Sequence, residues 1–437
     1  MERTMIGQLK KELGKSVKIQ GWISTVRNQG RIKFLLVRDV SGIVQVIITE
    51  SSLEAFRIVP GLSRESVIEV VGTVTEEKQA PSGFELVTRQ LRVISAAASE
   101  LPIPVIEKGT EEANREKRLD WRWLDLRKPK KRLIFQVWTV MEHAFREHLI
   151  NRGYIEIHSP KLMSTASETG SELFEVQYFD RKAYLAQSPQ FYKQMAMAAG
   201  FEKVFETGPV FRANPSFTSR HDTEFTMYDF EISFIESHEN VMREVEELIT
   251  VMLKVTKESF GEEIKRIYGR ELVVPKIPFP RLTMNEVKRI LDELGISSDR
   301  EGDLSPEEER TLCKFIKENK GHEFLFVTEW PASVRPFYHM RLERDPTLTK
   351  GFDLLWDGLE IITGSQREHR YEILTRQAKE GGINLESIQK YLEFFKYGCP
   401  PHGGCAPGPT RMLMKIFNID NVREVTYLYR GVRRLTP

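Results

Sequence analysis

Arg212, Arg220 and His221 sit on one short stretch with the ring of Phe225 close by, inside the string PVFRANPSFTSRHDTEFTMYDFE that runs from Pro209 to Glu231. Guanidinium forks present paired donors to phosphate or carboxylate, and a phenyl face offers a stacking surface. Together they suit a polyphosphate attached to an aromatic base. Val210 and Phe211 open an apolar strand, which Asn214-Pro215-Ser216 interrupts with turn-forming residues. The apolar pattern resumes at Phe225, Met227, Phe230, Ile232 and Phe234, with Glu224, Asp229 and Glu231 set among them. The pattern predicts two antiparallel strands joined by a basic loop. Taken alone, the same stretch also reads as a surface hairpin with solvated charges.

Three further clusters carry chemistry. Gln190 and Lys193 are one helical turn apart and can face one pocket, just after Ser188. Asp353, Glu360 and Thr363 are hard oxygen donors of the kind that hold Mg²⁺ against phosphates. Their spacing does not by itself put Asp353 and Glu360 on one strand face. Cys399, His402 and Cys405 are only three candidate metal ligands, at a spacing that fits no closed zinc pattern. Walker-type and Gly-x-Gly-x-x-Gly loops are absent, so a nucleotide site must be built from other parts.

The strings themselves are more specific than the single residues. Phe211-Arg212-Ala213, Thr218-Ser219-Arg220-His221, Thr223-Glu224-Phe225 and Asp229-Phe230-Glu231 resemble motif 2 of the class II aminoacyl-tRNA synthetases. The likeness is greatest to the aspartyl branch in its archaeal-type form, although Asn214 stands where many members have glutamate. Gln187-Ser188-Pro189-Gln190 with Lys193-Gln194 resembles that family's aspartate-binding segment, and asparaginyl relatives usually lack the lysine. Phe352-Asp353-Leu354 and the run from Glu360 through Thr363, Gly364 and Arg367 to His369 match its metal and substrate strands. Motif 3 is represented by Gly408 and Arg411, but Ala406, Pro407, Pro409 and Thr410 depart from the usual Gly-rich string. An added Cβ and a proline beneath the adenine are expected to raise the Michaelis constant for ATP.

The resemblance implies a division of labour. Arg212 and Arg411 are the catalytic cations. Glu168, Ser188, Gln190, Lys193, Arg212, Asp229, Thr363 and Arg367 bind L-aspartate. Arg212, Asn214, Arg220, His221, Phe225, Glu360, Gly408 and Arg411 bind ATP. Asp353, Glu360 and Thr363 hold Mg²⁺. Arg27, Phe34 and Gln45 match the anticodon readers, so tRNA(Asp) is the implied partner. Members restricted to that tRNA often carry an aromatic near position 24 and a lysine near 81. Ser24 and Pro81 stand here instead, so tRNA(Asn) is expected to be charged as well. The family is homodimeric. Two other readings stay open: a tRNA-independent paralogue activating an acidic amino acid, and a non-catalytic RNA-binding relative.

These residues need elements to position them. The 437 residues suffice for two or three domains, and a net charge of +1 gives no overall nucleic-acid signal, though it leaves room for a basic face. Three cysteines fit a reducing cytosol. Neither a signal peptide nor an apolar run near the roughly 20 residues of a membrane span is seen, so a cytoplasmic enzyme is expected. Residues 1–104 read as short strands with Gly and Asp turns, predicting a five-stranded OB-fold barrel, with Phe84–Val87 and Leu91–Ile94 as separate runs. An exposed ring beside an amide is how such barrels bind single-stranded bases, yet by pattern alone Phe34 reads as core. Residues 105–132 read as a hinge, opened by Leu101-Pro102-Ile103-Pro104. Residues 133–437 are the expected catalytic domain, an antiparallel sheet flanked by helices, so the class is α+β. Val137, Met141, Phe145 and Leu149 form a buried helical stripe that leads into a strand ending at Pro160, like motif 1. Glu239–Thr256 predicts a core helix, and residues 260–350 read as an inserted subregion with no chemistry of its own.

Overall fold

A computed structural model describes residues 1–106, 112–165, 173–215, 218–296, 300 and 302–437. Glu168 and Ser216 lie outside the described residues. The chain forms two compact units, Met1–Asp125 and Leu126–Pro437. Their boundary falls inside the stretch read as a hinge.

In the first unit, strand alternation closes a barrel. Its strands are β1 (Ser16–Gln29), β2 (Ile32–Arg38), β3 (Ile43–Thr49), β4 (Val67–Glu76) and β5 (Phe84–Ser95). They close in the order β1-β2-β3-β5-β4, with β3 and β5 the parallel neighbours. Val17, Ile19, Leu35, Val37, Val44, Val46, Ile68, Val70 and Leu86 point inward and are buried, as a period of two requires. Asp39 stops β2: its Oδ1 accepts from the amides of Ser41 and Gly42 at 2.7 and 3.1 Å, an Asx turn. Phe84–Val87 and Leu91–Ile94 are one strand rather than two. A register shift against β4 at Val71/Gly72 bends β5 without breaking it. Gly72 is required there, since a Cβ would lie 2.3 Å from the Val87 carbonyl oxygen.

The second unit is built on an eight-stranded sheet. In chain order β6 is Ile155–Glu156, β7 Leu162–Met163, β8 Glu175–Tyr178, β9 Arg181–Leu185, β10 Lys203–Phe211 and β11 Glu224–Ser233. β12 is Arg281–Thr283, β13 Phe324–Thr328, β14 Gly351–Trp356, β15 Leu359–Gln366 and β16 His402–Pro407. The main sheet runs β12-β13-β14-β15-β16-β11-β10-β6, while β7, β9 and β8 form a small separate sheet. The main sheet is antiparallel at its centre and parallel at both edges, where β12 joins β13 and β6 joins β10. It is therefore mixed rather than purely antiparallel.

Helices Pro129–Asn151 and His238–Tyr268 bury their stripes in one core with Phe205, Phe230, Phe326 and Phe352 from the sheet. The second helix runs three turns beyond the expected Thr256. Ser237 and Asn240 form its capping box, and Gly269 ends it at φ 69°. Residues 260–350 are not a separate insert, because they supply β12 and β13 to the main sheet. No helix among the described residues is long and apolar enough to cross a membrane.

Candidate active site

The antiparallel pair β10–β11 is in register from Lys203↔Ile232 to Phe211↔Glu224, so the loop between them leaves the sheet at Arg212. The segment 421–430 straps this loop. Val422 N donates to Ser219 O at 2.9 Å, Thr223 N to Arg430 O at 3.1 Å, and Tyr429 OH to His221 O at 3.3 Å. The adjacent strands β15, β16 and β11 all contribute to the lining of a cavity of about 330 Å³. Ser188, Gln190, Lys193, Arg212, Asn214, Arg220, His221, Phe225, Asp229, Glu360, Thr363, Arg367, Gly408 and Arg411 all line it. Of the expected cavity residues, Glu168 lies outside the described residues and Asp353 is buried behind the lining.

At the inner end, two cations and two carboxylates are packed away from water. Lys193 is 2% exposed and Glu231 0%. Lys193 Nζ lies 3.0 Å from Asp229 Oδ1, 3.2 Å from Glu231 Oε2 and 3.5 Å from the Cys405 carbonyl oxygen. Arg367 Nε donates to Glu231 Oε1 at 2.9 Å, its Nη1 to Ser365 Oγ at 2.8 Å and its Nη2 to Gly404 O at 3.0 Å. The sequence suggests a doubly positive clamp; the folded site is neutral, because Glu231 and Asp229 already balance Lys193 and Arg367. Burial pushes Asp229 up to about 6, against the pull of Lys193. Burial also works to raise Glu231, but Arg367 and Lys193 outweigh it and hold that carboxylate below its ordinary value. Asp229 Oδ2 is buried with no hydrogen-bond partner. Gly404 packs against this cluster so closely that a Cβ would meet Glu231 Oε2 at 2.2 Å.

The outer end carries the ring of Phe225 and three guanidiniums. The Arg212 guanidinium sits 5.5 Å from the centroid of Phe225. Arg411 Nη1 contacts Glu360 Oε1 at 3.1 Å and the Glu360 carbonyl oxygen at 2.9 Å. Arg220 is turned onto Glu309, with Nη1 2.6 Å from Oε2, and onto Gly358 O at 3.3 Å. Glu309 comes from helix Pro306–Lys320, inside the stretch expected to carry no chemistry. Burial lifts Glu309 to about 7, with Arg220 opposing, and burial lifts Asp222 to about 7. His221 is pushed below its ordinary value by burial and by Arg411 and Arg220, so it is neutral near pH 7.

Glu360 and Thr363 share this rim because of a bulge. Thr363 pairs with Asp353 and Ile362 with Leu354, but Glu360 pairs with Leu355, leaving Ile361 as the extra residue. Asp353 and Leu355 alternate onto one face, so Asp353, Thr363 and Glu360 face the same way. Thr363 Oγ1 donates to Glu360 Oε1 at 3.0 Å, and Asp353 is held by Arg335 at 2.5 Å. Arg335 in turn stacks 4.0 Å from the Trp330 ring centroid. This all-oxygen donor set fits Mg²⁺. Among the described residues no three His, Cys, Asp or Glu side chains converge.

In motif 3, Pro407 takes a place where its missing N–H costs nothing. Gly408 N donates to Ile361 O, and Arg367 N to His402 O, both at 2.8 Å. Even-numbered residues of β16 thus make the ladder bonds to β15, and Pro407 falls between them, opposite Ile362. Pairing with β11 ends at Cys405, so no partner is lost on that side. Ala406 lines the cavity and Pro409 opens helix Pro409–Phe417.

On the barrel, Arg27 pairs with Phe34, and Leu36 pairs with Gln45. Direct partners share a face and alternate residues return to it, so Arg27, Phe34 and Gln45 lie together outside the barrel. Phe34 is half-buried there rather than in the core, which Leu35 and Val37 occupy. Gln45 Nε2 donates to Glu85 Oε2 at 3.1 Å. Ser24 does not reach this face: it is 1% exposed and accepts from Arg38 at 3.0 Å. Pro81 is exposed.

An OB barrel followed in the chain by a mixed sheet bearing these three motifs defines a tRNA synthetase architecture. The family described as tRNA synthetases class II (D, K and N) matches residues 114–430, and the OB-fold nucleic acid binding domain matches residues 17–94. The chain belongs to the class II tRNA synthetases of this D, K and N group, and tRNA charging is its activity. It is 45% identical over 426 residues to the aspartate–tRNA(Asp/Asn) ligase of Methanopyrus kandleri, covering 97% of this chain and 96% of the relative. It is 42% identical to the aspartate–tRNA(Asp) ligase of Pyrococcus furiosus, covering 97% of each. The asparaginyl-tRNA synthetase from Pyrococcus horikoshii complexed with asparaginyl-adenylate superposes with a TM-score of 0.92, at 34% identity and full coverage of both chains. The aspartyl-tRNA synthetase from Entamoeba histolytica superposes with a TM-score of 0.89 at 30% identity, covering 100% of this chain and 93% of that one.

Sequence reasoning noted Glu231 without giving it a role, and it missed Arg335, Glu309 and His339, which lines the cavity with its Nε2 3.5 Å from Arg367 Nη1. The Asp229-x-Glu231 spacing contained the first, since a period of two puts both carboxylates on one face of β11. The other three come from segments without a telling pattern.

Proposed function

We propose that this chain is an aspartate–tRNA ligase that forms aspartyl-adenylate from L-aspartate and ATP and passes the aspartyl group to tRNA. The observation that carries the reading is the buried Lys193–Asp229 pair beside Arg367. A zwitterion with a second carboxylate can exchange partners with it. The substrate ammonium takes Asp229, and the β-carboxylate takes the Lys193 so released, with Arg367 beside it. Asparagine would supply the ammonium but no second carboxylate. Lys193 would then be left underpaired in a dry site, a cost of about 3–5 kcal/mol.

The α-carboxylate then faces Arg212 and the α-phosphorus of an ATP stacked on Phe225. One carboxylate oxygen attacks phosphorus, the bond to the bridging oxygen breaks, and pyrophosphate leaves. Arg212, Arg411 and Arg220 stabilise the charge on the phosphates, with Arg220 first leaving Glu309. No side-chain nucleophile is needed, because positioning and charge stabilisation carry the step. Glu360 and Thr363, with Asp353 behind them, would hold Mg²⁺, which when bound neutralises charge on the phosphate oxygens. The 3′-hydroxyl of the tRNA next attacks the carbonyl of the mixed anhydride and AMP departs.

The partners are tRNA(Asp) and also tRNA(Asn), read through Arg27, Phe34 and Gln45. The protein works as a cytoplasmic homodimer paired through helix Pro129–Asn151 and its following strand, where Ile150 and Ile155 are exposed apolar residues. The test is ATP–pyrophosphate exchange with aspartate or asparagine, followed by charging of purified tRNA. Aspartate should support exchange hundreds- to thousands-fold better than asparagine, and Lys193→Leu should abolish aspartate activation while sparing ATP binding. Equal exchange with asparagine would overturn the reading. Exchange without charging would point to a tRNA-independent enzyme.

A further inference from the structure

Behind the inner end of the cavity, buried side chains run back from Gln190 in a continuous hydrogen-bonded line. His402 Nδ1 lies 2.8 Å from the carbonyl oxygen of Pro400, which can only accept, so Nδ1 carries the proton. Its Nε2 is therefore an acceptor, and Gln194 Nε2 donates to it at 3.0 Å. This fixes the Gln194 amide, whose Oε1 accepts from Gln190 Nε2 at 2.8 Å and from Tyr391 OH at 2.9 Å. The tyrosine hydroxyl can turn either way, so the direction of the line is set at the Pro400 end alone. Gln190 lines the cavity, and the bond from its nitrogen to Gln194 holds the amide in one orientation, with its carbonyl oxygen left as an acceptor. His402 and Gln194 are wholly buried and Gln190 is 4% exposed, so water does not compete. Burial also pushes His402 down to about 4, which keeps the ring neutral with one donor and one acceptor. Phe395 stacks on the ring at 6.0 Å between centroids, and Cys399 Sγ lies 3.7 Å from Nδ1.

The opposite tautomer would reverse the line. A proton on Nε2 would turn Gln194 over, then Gln190, and the cavity would face an amide N–H. An oxygen suits an ammonium and an N–H suits a carboxylate. We propose that His402, acting through Gln194, is a positioning residue that fixes Gln190 as an acceptor for the α-ammonium of the amino acid. This rests on the reading that the cavity takes aspartate, and the experiment separates the two.

Exchange kinetics would be measured with aspartate as substrate and succinate, which lacks only the amine, as competitive inhibitor. His402→Asn keeps a donor for Pro400 but cannot reach Gln194. It should raise KM for aspartate about tenfold, the loss of one charge-assisted hydrogen bond, and leave KM for ATP and Ki for succinate within about twofold. His402→Gln returns an oxygen near the Nε2 position and should recover most of the loss. Gln194→Met interrupts the line with a side chain of similar length and should repeat the Asn pattern, which covers a failure of either histidine variant to fold. Equal weakening of aspartate and succinate, or no change in either, overturns the relay. Absence of aspartate-dependent exchange in the unsubstituted protein overturns the aspartate reading instead.

Discussion

Asp229 is the side chain through which pH should act on amino-acid binding. Burial raises it to about 6, so it is charged at pH 7 and becomes neutral as pH falls through that value. A neutral carboxyl no longer attracts the substrate ammonium. KM for aspartate should therefore rise several-fold between pH 7 and pH 5.5, whereas Asp229→Asn should raise KM throughout and flatten the slope. A slope that persists in the variant would assign the titration to another group. Glu309 and Asp222, each near 7, face the nucleotide end and should show in KM for ATP instead. The identities of Lys193, Asp229 and Arg367 were legible as strings in the sequence. Their mutual neutralisation was not, because it depends on Glu231 reaching across from β11 to two other elements.

Strand register explains more of this site than strand identity does. The bulge at Ile361 turns Glu360 toward Thr363, and no spacing rule applied to the sequence predicts where an extra residue will be absorbed. Motif 3 shows the reverse case, in which the sequence raises an alarm that the fold answers. Pro407 loses no ladder bond, so Pro407→Leu should change KM for ATP by less than about twofold, since it restores a donor with no acceptor to meet. Arg411→Ala should nearly abolish exchange. If Pro407→Leu lowers KM for ATP strongly, the proline does distort the nucleotide end. Helix Pro306–Lys320 offers a second check. Glu309 competes with phosphate for Arg220 across 2.6 Å, so Glu309→Gln should lower KM for ATP two- to five-fold, or about 0.5–1 kcal/mol. A higher KM would mean that Glu309 instead holds Arg220 ready for the nucleotide. The period-two barrel and the helix stripes were plain in the sequence. Phe324–Val327 was legible as a strand, but residues 260–350 were misread as an insert because β12 is only Arg281–Thr283 and lies far in sequence from the strand beside it.

Barrel and catalytic unit each bury a core of their own, so damage to the barrel face should leave adenylate formation intact. Phe34→Ala removes a stacking surface worth about 1–3 kcal/mol per base. Charging of tRNA(Asp) should fall roughly ten- to a hundredfold in kcat/KM, with aspartate-dependent exchange unchanged. The choice between tRNAs is the harder question, and the relatives divide on it, one named for tRNA(Asp/Asn) and another for tRNA(Asp) alone. Ser24 no longer bears on it, since it lies in the barrel wall bonded to Arg38 and cannot touch an anticodon from there. What remains is Pro81, exposed between β4 and β5, where a lysine would add a cation and an N–H. Proline offers neither, so it supplies no polar contact that could favour one third anticodon base over another. The expected outcome is charging of tRNA(Asp) and tRNA(Asn) with kcat/KM values within a hundredfold of each other, and Pro81→Lys should widen the gap in favour of tRNA(Asp). Parallel assays with the two purified tRNAs decide it. A preference beyond about a hundredfold in the unsubstituted protein, near 3 kcal/mol, would mean that discrimination lies elsewhere on the barrel face, and Arg27 opposite Phe34 would be the next residue to test.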